Sequence, residues 1–357
     1  MRASRTALLL LTVVACHRQT VVPTPSGAEV VINLPDQSNE APIALRLFVV
    51  GDGGEPGPRH DAVFASVRTL IADTPVRAML LMPGDLTYPK GLPADCSAAL
   101  NRLQMDYLSA APDLQIVVVP GNHDHGDPES GANPLIRDRD AYFDCTLQPT
   151  IAALEHWSPA NCPCDPRWHD PSAPTNVGTW SLLASTPLRA GMTLVTYDSQ
   201  AALANPEEVA HELERTLDNV PADRRVILMA HHPLVTYGPH GSGDKGEQDV
   251  GSARYQEYVR RFTQVVEPRA SRFALLIFGH EHSLQYLPGS PPELISGAGS
   301  RTSPVKGLPP GVFAVGETPG FAVVDLLAAG GVDVTLLSSG KPHVEHIPAP
   351  LPAAPPR

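Results

Sequence analysis

Basic residues are scarce in this chain: 26 Lys and Arg stand against 38 Asp and Glu, a formal net charge of -12. Broad binding of nucleic acid needs Lys and Arg to neutralise phosphates, so no nucleic-acid partner is expected. Also missing is an apolar run long enough to cross a bilayer, since the leader MRASRTALLLLTVVAC falls short of the roughly 20 residues that a spanning helix needs. No segment repeats at a fixed period, which argues against a repeat array. Cysteine is limited to Cys16, Cys96, Cys145, Cys162 and Cys164.

What is present is enough for a sizeable core. The 357 residues allow one large or two ordinary domains, and 42% of them are hydrophobic, although 39 prolines mark stretches without regular structure. In the leader, Arg2 and Arg5 precede an apolar run from Ala7 and then Val13-Val14-Ala15-Cys16. This is the shape of a secretory signal, and its end resembles the lipobox of bacterial lipoproteins. Cys16 would then be lipidated at the mature N-terminus, and the protein would be exported and held on a membrane, facing the periplasm or the cell surface. An ordinary signal peptide cut nearby, or a misplaced start, is the alternative. The other four cysteines suit disulfides in an exported chain, with a Cys-x-Cys metal site at Cys162 and Cys164 as the competing reading.

Residues 17–43 read as a polar tether and residues 341–357 as a disordered, proline-rich tail, because proline removes backbone donors. Between them, over 44–340, apolar runs alternate with amphipathic ones. Strands are expected at 45–50, 76–82, 115–119, 192–197, 225–230 and 273–278, and helices at 60–73, 96–110, 206–220 and 252–266. The last third reads as β only. Near-continuous apolar strands are covered on both faces, so the pattern predicts an α/β fold of one domain with two packed sheets. Residues 126–180 carry three of the cysteines and little periodicity, and read as a disulfide-braced insertion near the site mouth.

Five of the six strand candidates run directly into polar residues: LFVV into GDGG, AMLLMP into GDLTY, IVVVP into GNHD, VILMA into HHP and ALLIF into GHEH. Ligands of α/β sheets bind at the carboxyl ends of strands. A single Asp or His there could be a turn residue or a helix cap, but five such endings are not explained by turns. Asp, Asn, His and Tyr supply oxygen and nitrogen and no thiolate, which suits iron, zinc or manganese. They suffice for two ions, and two metals can clamp the attacking and leaving oxygens of a phosphoryl displacement.

The set GDGG, GDLTY, GNHD, HHP and GHEH resembles the calcineurin-like metallophosphoesterase superfamily, and within it the purple acid phosphatases, especially the small tartrate-resistant type. The resemblance covers about residues 45 to 340 and extends to GPHGSGD, GHEHSLQYL and LISGAG. Most of the superfamily opens with Asp-x-His. Here Asp52-Gly53-Gly54 lacks that His, while Tyr88 follows Asp85 by three residues, the exchange found where a tyrosinate binds ferric iron. The second glycine of GDGG, where an aromatic is common, is a departure that removes no ligand.

The resemblance implies a four-layer α/β/β/α sandwich with two mixed sheets. It also implies that Asp52, Tyr88 and His282 hold Fe(III), that Asn122, His231 and His280 hold Fe(II), Zn(II) or Mn(II), and that Asp85 bridges the two. His123, oriented by Asp124, would be the general acid; His125, His232 and His240 are further candidates for supporting the ligands or facing the substrate. The expected reaction is phosphomonoester hydrolysis of small phosphate esters by a hydroxide held on the metals. A metallophosphodiesterase is the nearest alternative, and a non-catalytic surface lipoprotein using the fold for binding is a third.

Overall fold

Alternate side chains of the strand Ile43–Val49 enter two different cores: Leu45, Leu47 and Val49 on one face, Phe48 on the other. The same division runs through the whole molecule. The computed structural model describes residues 21–23, 29–31, 42–86, 88, 114–124, 177–186, 190–241, 249–339 and 342–348. They form two large mixed β-sheets, packed face to face and flanked by helices, as expected for an α/β/β/α sandwich.

The strands, in chain order, are β1 (Val21–Pro23), β2 (Glu29–Val31), β3 (Ile43–Val49), β4 (Ala78–Pro83), β5 (Gln115–Val119), β6 (Val177–Leu183), β7 (Gly191–Tyr197) and β8 (Arg224–Met229). They continue with β9 (Phe273–Phe278), β10 (Leu284–Leu287), β11 (Glu293–Ser296), β12 (Phe313–Val315), β13 (Gly320–Leu327), β14 (Val332–Ser338) and β15 (His343–Ile347). The helices are α1 (Pro58–Asp73), α2 (Ser199–Ala204), α3 (Pro206–Asn219) and α4 (Ala253–Val266).

One sheet has six strands in the order β15-β14-β13-β3-β4-β5, with β3, β4 and β5 parallel. The other has seven, β12-β10-β11-β9-β8-β7-β6, with β7, β8, β9 and β11 parallel. Between them lies a core built from Leu47, Val49, Leu81 and Val117 on one side and Leu194, Met229, Leu275 and Ile277 on the other. Each such buried side chain is worth about 1.5–3 kcal/mol, so the sheets are held firmly at a fixed spacing. Helix α1 covers the outer face of the six-stranded sheet through Val63, Phe64 and Val67. Helices α2, α3 and α4 cover the other sheet through Leu203, Leu213, Tyr258 and Phe262.

Helix ends follow local chemistry. Proline opens both α1 and α3, where its missing N–H is not needed. The Asp198 side chain caps α2 by accepting from the Ala201 N–H, and the Ser252 side chain caps α4 by accepting from the Tyr255 N–H.

Three expectations need correction. The tail is not wholly without structure, because His343–Ile347 pairs antiparallel with β14 from Val332↔Ile347 to Leu336↔His343. Pro342 and Pro348 bracket this stretch rather than interrupt it, so its backbone donors survive, and the strand lies at a sheet edge. The tether contains an antiparallel pair, Val21–Pro23 with Glu29–Val31, and its last residue, Ile43, already belongs to β3. The irregular segment also ends early: Val177–Leu183 is a strand on β7. The cysteines, the leader with Cys16, and the helix expected at 96–110 lie outside the described residues.

Candidate metal centre

Strands β3, β4 and β5 are parallel neighbours, so the residues that follow them emerge on one edge. They are Asp52, the pair Asp85 and Tyr88, and Asn122. The parallel β8 and β9 of the other sheet deliver His231, His280 and His282 to the same edge. The seam is stitched by backbone: Gly51 N–H donates to Ser296 O (2.8 Å), and Gly299 N–H donates to Gly51 O (3.1 Å).

Three of these residues adopt a backbone that side chains other than glycine rarely tolerate. Asp52, Asp85 and His280 have φ of 55°, 55° and 66°. Such conformations cost of order 1–3 kcal/mol and persist where the surroundings enforce them, commonly at functional sites. Close approach also demands glycine: a Cβ on Gly121 would overlap the Asp85 carboxylate, and one on Gly84 the His231 ring.

The side chains fall into two groups that share Asp85. In the first, the Tyr88 hydroxyl lies 2.8 Å from Asp85 Oδ2, 3.2 Å from Asp52 Oδ1 and 3.3 Å from His282 Nε2. In the second, Asn122 Oδ1 lies 3.0 Å from His231 Nε2 and 3.2 Å from His280 Nδ1. Asp85 turns Oδ2 to the first group and Oδ1 to the second, 3.5 Å from His231 Nε2. The seven residues expected as ligands are therefore all together. Asp52, Asp85 and His231 bring one ligand atom each within 4.8 Å of one another, as do His231, His232 and His280.

Burial sets the electrostatics. It pushes the Asp52 carboxyl well above its ordinary range, and the neighbouring Asp85 charge adds to this. Asp85 meets the same burial as its largest influence, but His231, His123, the Tyr88 hydroxyl and the His123 backbone N–H together outweigh it and hold its carboxyl low. Burial and the two carboxylates raise the Tyr88 phenol. Burial lowers the His231 imidazole, against the pull of Asp85, and takes His282 to about 3, helped by His240, so the His282 ring is neutral and able to donate a lone pair. Imidazoles, two buried carboxylates, a phenol and an amide oxygen form a donor set that could hold cations, with hard oxygen prevailing in one group and nitrogen in the other.

The remaining candidates surround this set. The His123 ring packs 4.3 Å from that of Tyr88 at a tilt, and its backbone N–H donates to Asp85 Oδ1 (3.0 Å). Asp124, expected to orient His123, accepts on Oδ2 from the backbone N–H groups of Gly121 (2.9 Å) and Leu86 (3.2 Å), bracing both ligand loops. His232 is fully buried, with its ring 4.4 Å from that of His280 and Nδ1 at 2.8 Å from Ser199 Oγ. His240 lies over His280 with ring centroids 4.3 Å apart, and its Nδ1 is 2.7 Å from Asp249 Oδ1. His125 lies outside the described residues.

The structure adds residues that the motifs did not single out. Buried Glu281, between the two histidines of GHEH, accepts from the Ser303 hydroxyl (2.7 Å), the His240 N–H (3.0 Å) and the Thr236 hydroxyl (3.3 Å). It thereby fixes the loop that carries His240. Ser199 Oγ accepts from the N–H groups of His231 (3.2 Å) and His232 (2.9 Å) and holds their turn. One signal was available, since β7 is also a strand that runs straight into polar residues, Asp198 and Ser199.

The family model described as "Calcineurin-like phosphoesterase" matches residues 45–284. No curated protein matches the chain by sequence. Among solved structures, the anchor in the inner membrane complex of Plasmodium is similar at 16% identity and a TM-score of 0.58, over 86% of this chain and 90% of that one. A purple acid phosphatase from yellow lupin, Lupinus luteus, is similar at 11% identity and a TM-score of 0.52, over 91% of this chain and 57% of that one. A dimetal phosphatase from Danio rerio is similar at 11% identity and a TM-score of 0.52, over 85% and 99%. At these identities the likeness is one of fold.

Proposed function

This chain belongs to the calcineurin-like phosphoesterase family, and from that premise we propose that it is a binuclear-metal phosphomonoesterase of the acid phosphatase type, acting on small phosphate esters. The observation that carries the reading is Asp85, whose two oxygens face two separate donor groups. Asp52, Tyr88 and His282 would hold one ion, ferric iron, and Asn122, His231 and His280 a divalent iron, zinc or manganese. Such a pair, when bound, supplies Lewis-acid activation of water and neutralises charge on phosphoryl oxygens.

The protein side chains do the rest. His123 Nδ1 or Nε2, at the mouth beside Tyr88, gives a proton to the leaving oxygen. Asp249 accepts from His240 Nδ1 and fixes the ring beside His280, while Glu281 and Ser199 keep the histidine loops from drifting. We further propose export and lipid anchoring through Cys16, on the strength of the leader sequence.

The purified chain should contain about two metals by elemental analysis and show a visible tyrosinate-to-iron absorption band. It should also hydrolyse p-nitrophenyl phosphate faster than bis-p-nitrophenyl phosphate in acid. A colourless, fully metallated protein that cleaves only the diester would overturn the monoesterase reading in favour of a phosphodiesterase.

A further inference from the structure

Arg301 lies in the loop between β11 and β12 and stands beside the donor groups without belonging to them. Its guanidinium carbon lies 4.1 Å from the centroid of the Tyr88 ring. Glu55 takes two of its nitrogens, Nε and one terminal nitrogen, at 3.0 Å each. The flanking backbone is equally constrained: the Ser300 hydroxyl donates to Asp52 O (2.5 Å) and accepts from the Glu55 N–H (3.1 Å). Arg301 is therefore held by three contacts that all lead back to the Asp52 loop or to Tyr88.

This arrangement exceeds what a surface ion pair requires. An exposed pair contributes little to stability, yet here the orientation of the fork is fixed. Glu55 uses two of the five guanidinium N–H groups, and no other acceptor for the side chain occurs among the described residues. The side chain is 31% exposed, so those donors can meet solvent or a ligand. A preset guanidinium is suited to bidentate recognition of a carboxylate or phosphate. It stacks over the ring of Tyr88, whereas the ligand atoms gather at the hydroxyl, so it flanks the donor groups instead of covering them.

We propose that Arg301, oriented by Glu55 and Tyr88, anchors a second anionic group of the substrate, so that the site selects phosphate esters bearing a carboxylate or another phosphate next to the scissile one. The inference rests on the phosphatase reading above and adds the substrate class to it. A −12 chain would otherwise repel a polyanionic ester; one fixed cation at the mouth gives such a ligand a place to bind.

The test uses a matched pair, 2-phosphoglycerate and glycerol 2-phosphate, which differ by a carboxylate in place of a hydroxymethyl group. With the metal-loaded full chain, kcat/KM should favour 2-phosphoglycerate by about tenfold, the size of one charge-assisted hydrogen bond. Arg301→Met should bring the ratio close to one, mainly through KM, and Glu55→Gln should reduce it partway. Calorimetry gives a second reading: phosphonoacetate should bind more tightly than methylphosphonate to the wild type, and this difference should vanish in Arg301→Met. A parallel fall for both esters in Arg301→Met, or no preference in the wild type, would overturn the inference. Should the wild type hydrolyse neither ester, the phosphatase reading would fall, and the calorimetric difference alone would decide the role of Arg301.

Discussion

The six-stranded sheet brings oxygen to the centre and the seven-stranded sheet brings nitrogen. Asp52, Asp85, Tyr88 and Asn122 follow β3, β4 and β5, whereas His231, His280 and His282 follow β8 and β9. Neither sheet alone would present both kinds of donor. The site exists only because the inter-sheet core fixes the separation of the two edges, and Asp85 is the joint, with one oxygen directed to each group. Breaking this joint should therefore have the largest effect. Asp85→Asn removes a charge shared by both groups, and we expect kcat to fall on the order of 10³-fold. Metal content should drop to at most one per chain. A variant that kept both metals and most of its activity would show that the two sheets act independently.

The halves can also be separated. Tyr88→Phe deletes one oxygen donor, and His231→Ala deletes one nitrogen donor. If the oxygen side holds ferric iron, the first change should abolish the visible band, and the second should leave the band while removing the divalent ion. Either should lower kcat roughly 10²-fold. Absorption spectra and elemental analysis of both variants would decide, and loss of the band in both would mean that the division between sheets does not extend to the metals.

The oxygen and nitrogen donors were legible because each ends a strand, and a strand ending is a local signal. Six strand expectations were legible as short apolar runs, and the helices at Pro58–Asp73, Pro206–Asn219 and Ala253–Val266 as longer amphipathic ones, both being local signals. Contacts between distant residues were not. Nothing in PHG links His240 to Asp249, and nothing near Ser199 links it to the backbone of His231, 32 residues on. Arg301 sits in an ordinary loop sequence, and its meaning comes from Glu55, 246 residues earlier. The edge strand His343–Ile347 was hidden by its flanking prolines, which were read as breaking the segment when they bound it.

The comparison between the sheets has a smaller consequence for stability, away from the seam. At the seam, buried Asp85 is held low by its neighbours, among them His231 from the other sheet and His123 from its own. Glu293, the first residue of β11, has no such partner. Burial takes its carboxyl from 4.5 to about 7, and a hydrogen bond from the Val235 backbone offsets only part of this. Its Oε2 has no hydrogen-bond partner among the described residues. Below pH 4.5 this group is protonated in both folded and unfolded chains, and its contribution is fully present. Between 4.5 and 7 the unfolded chain releases its proton first, so stability is lost as pH rises, and above 7 the loss is constant. Glu293→Gln keeps the neutral form at every pH. It should leave unfolding free energy unchanged near pH 4 and raise it near pH 8 by up to about 3 kcal/mol. Urea unfolding of the metal-loaded wild type and variant at both pH values measures this directly. A difference independent of pH would mean that the nitrogen-bearing sheet accommodates an ionised carboxylate without help from the other sheet, and the contrast with Asp85 would lose its electrostatic basis.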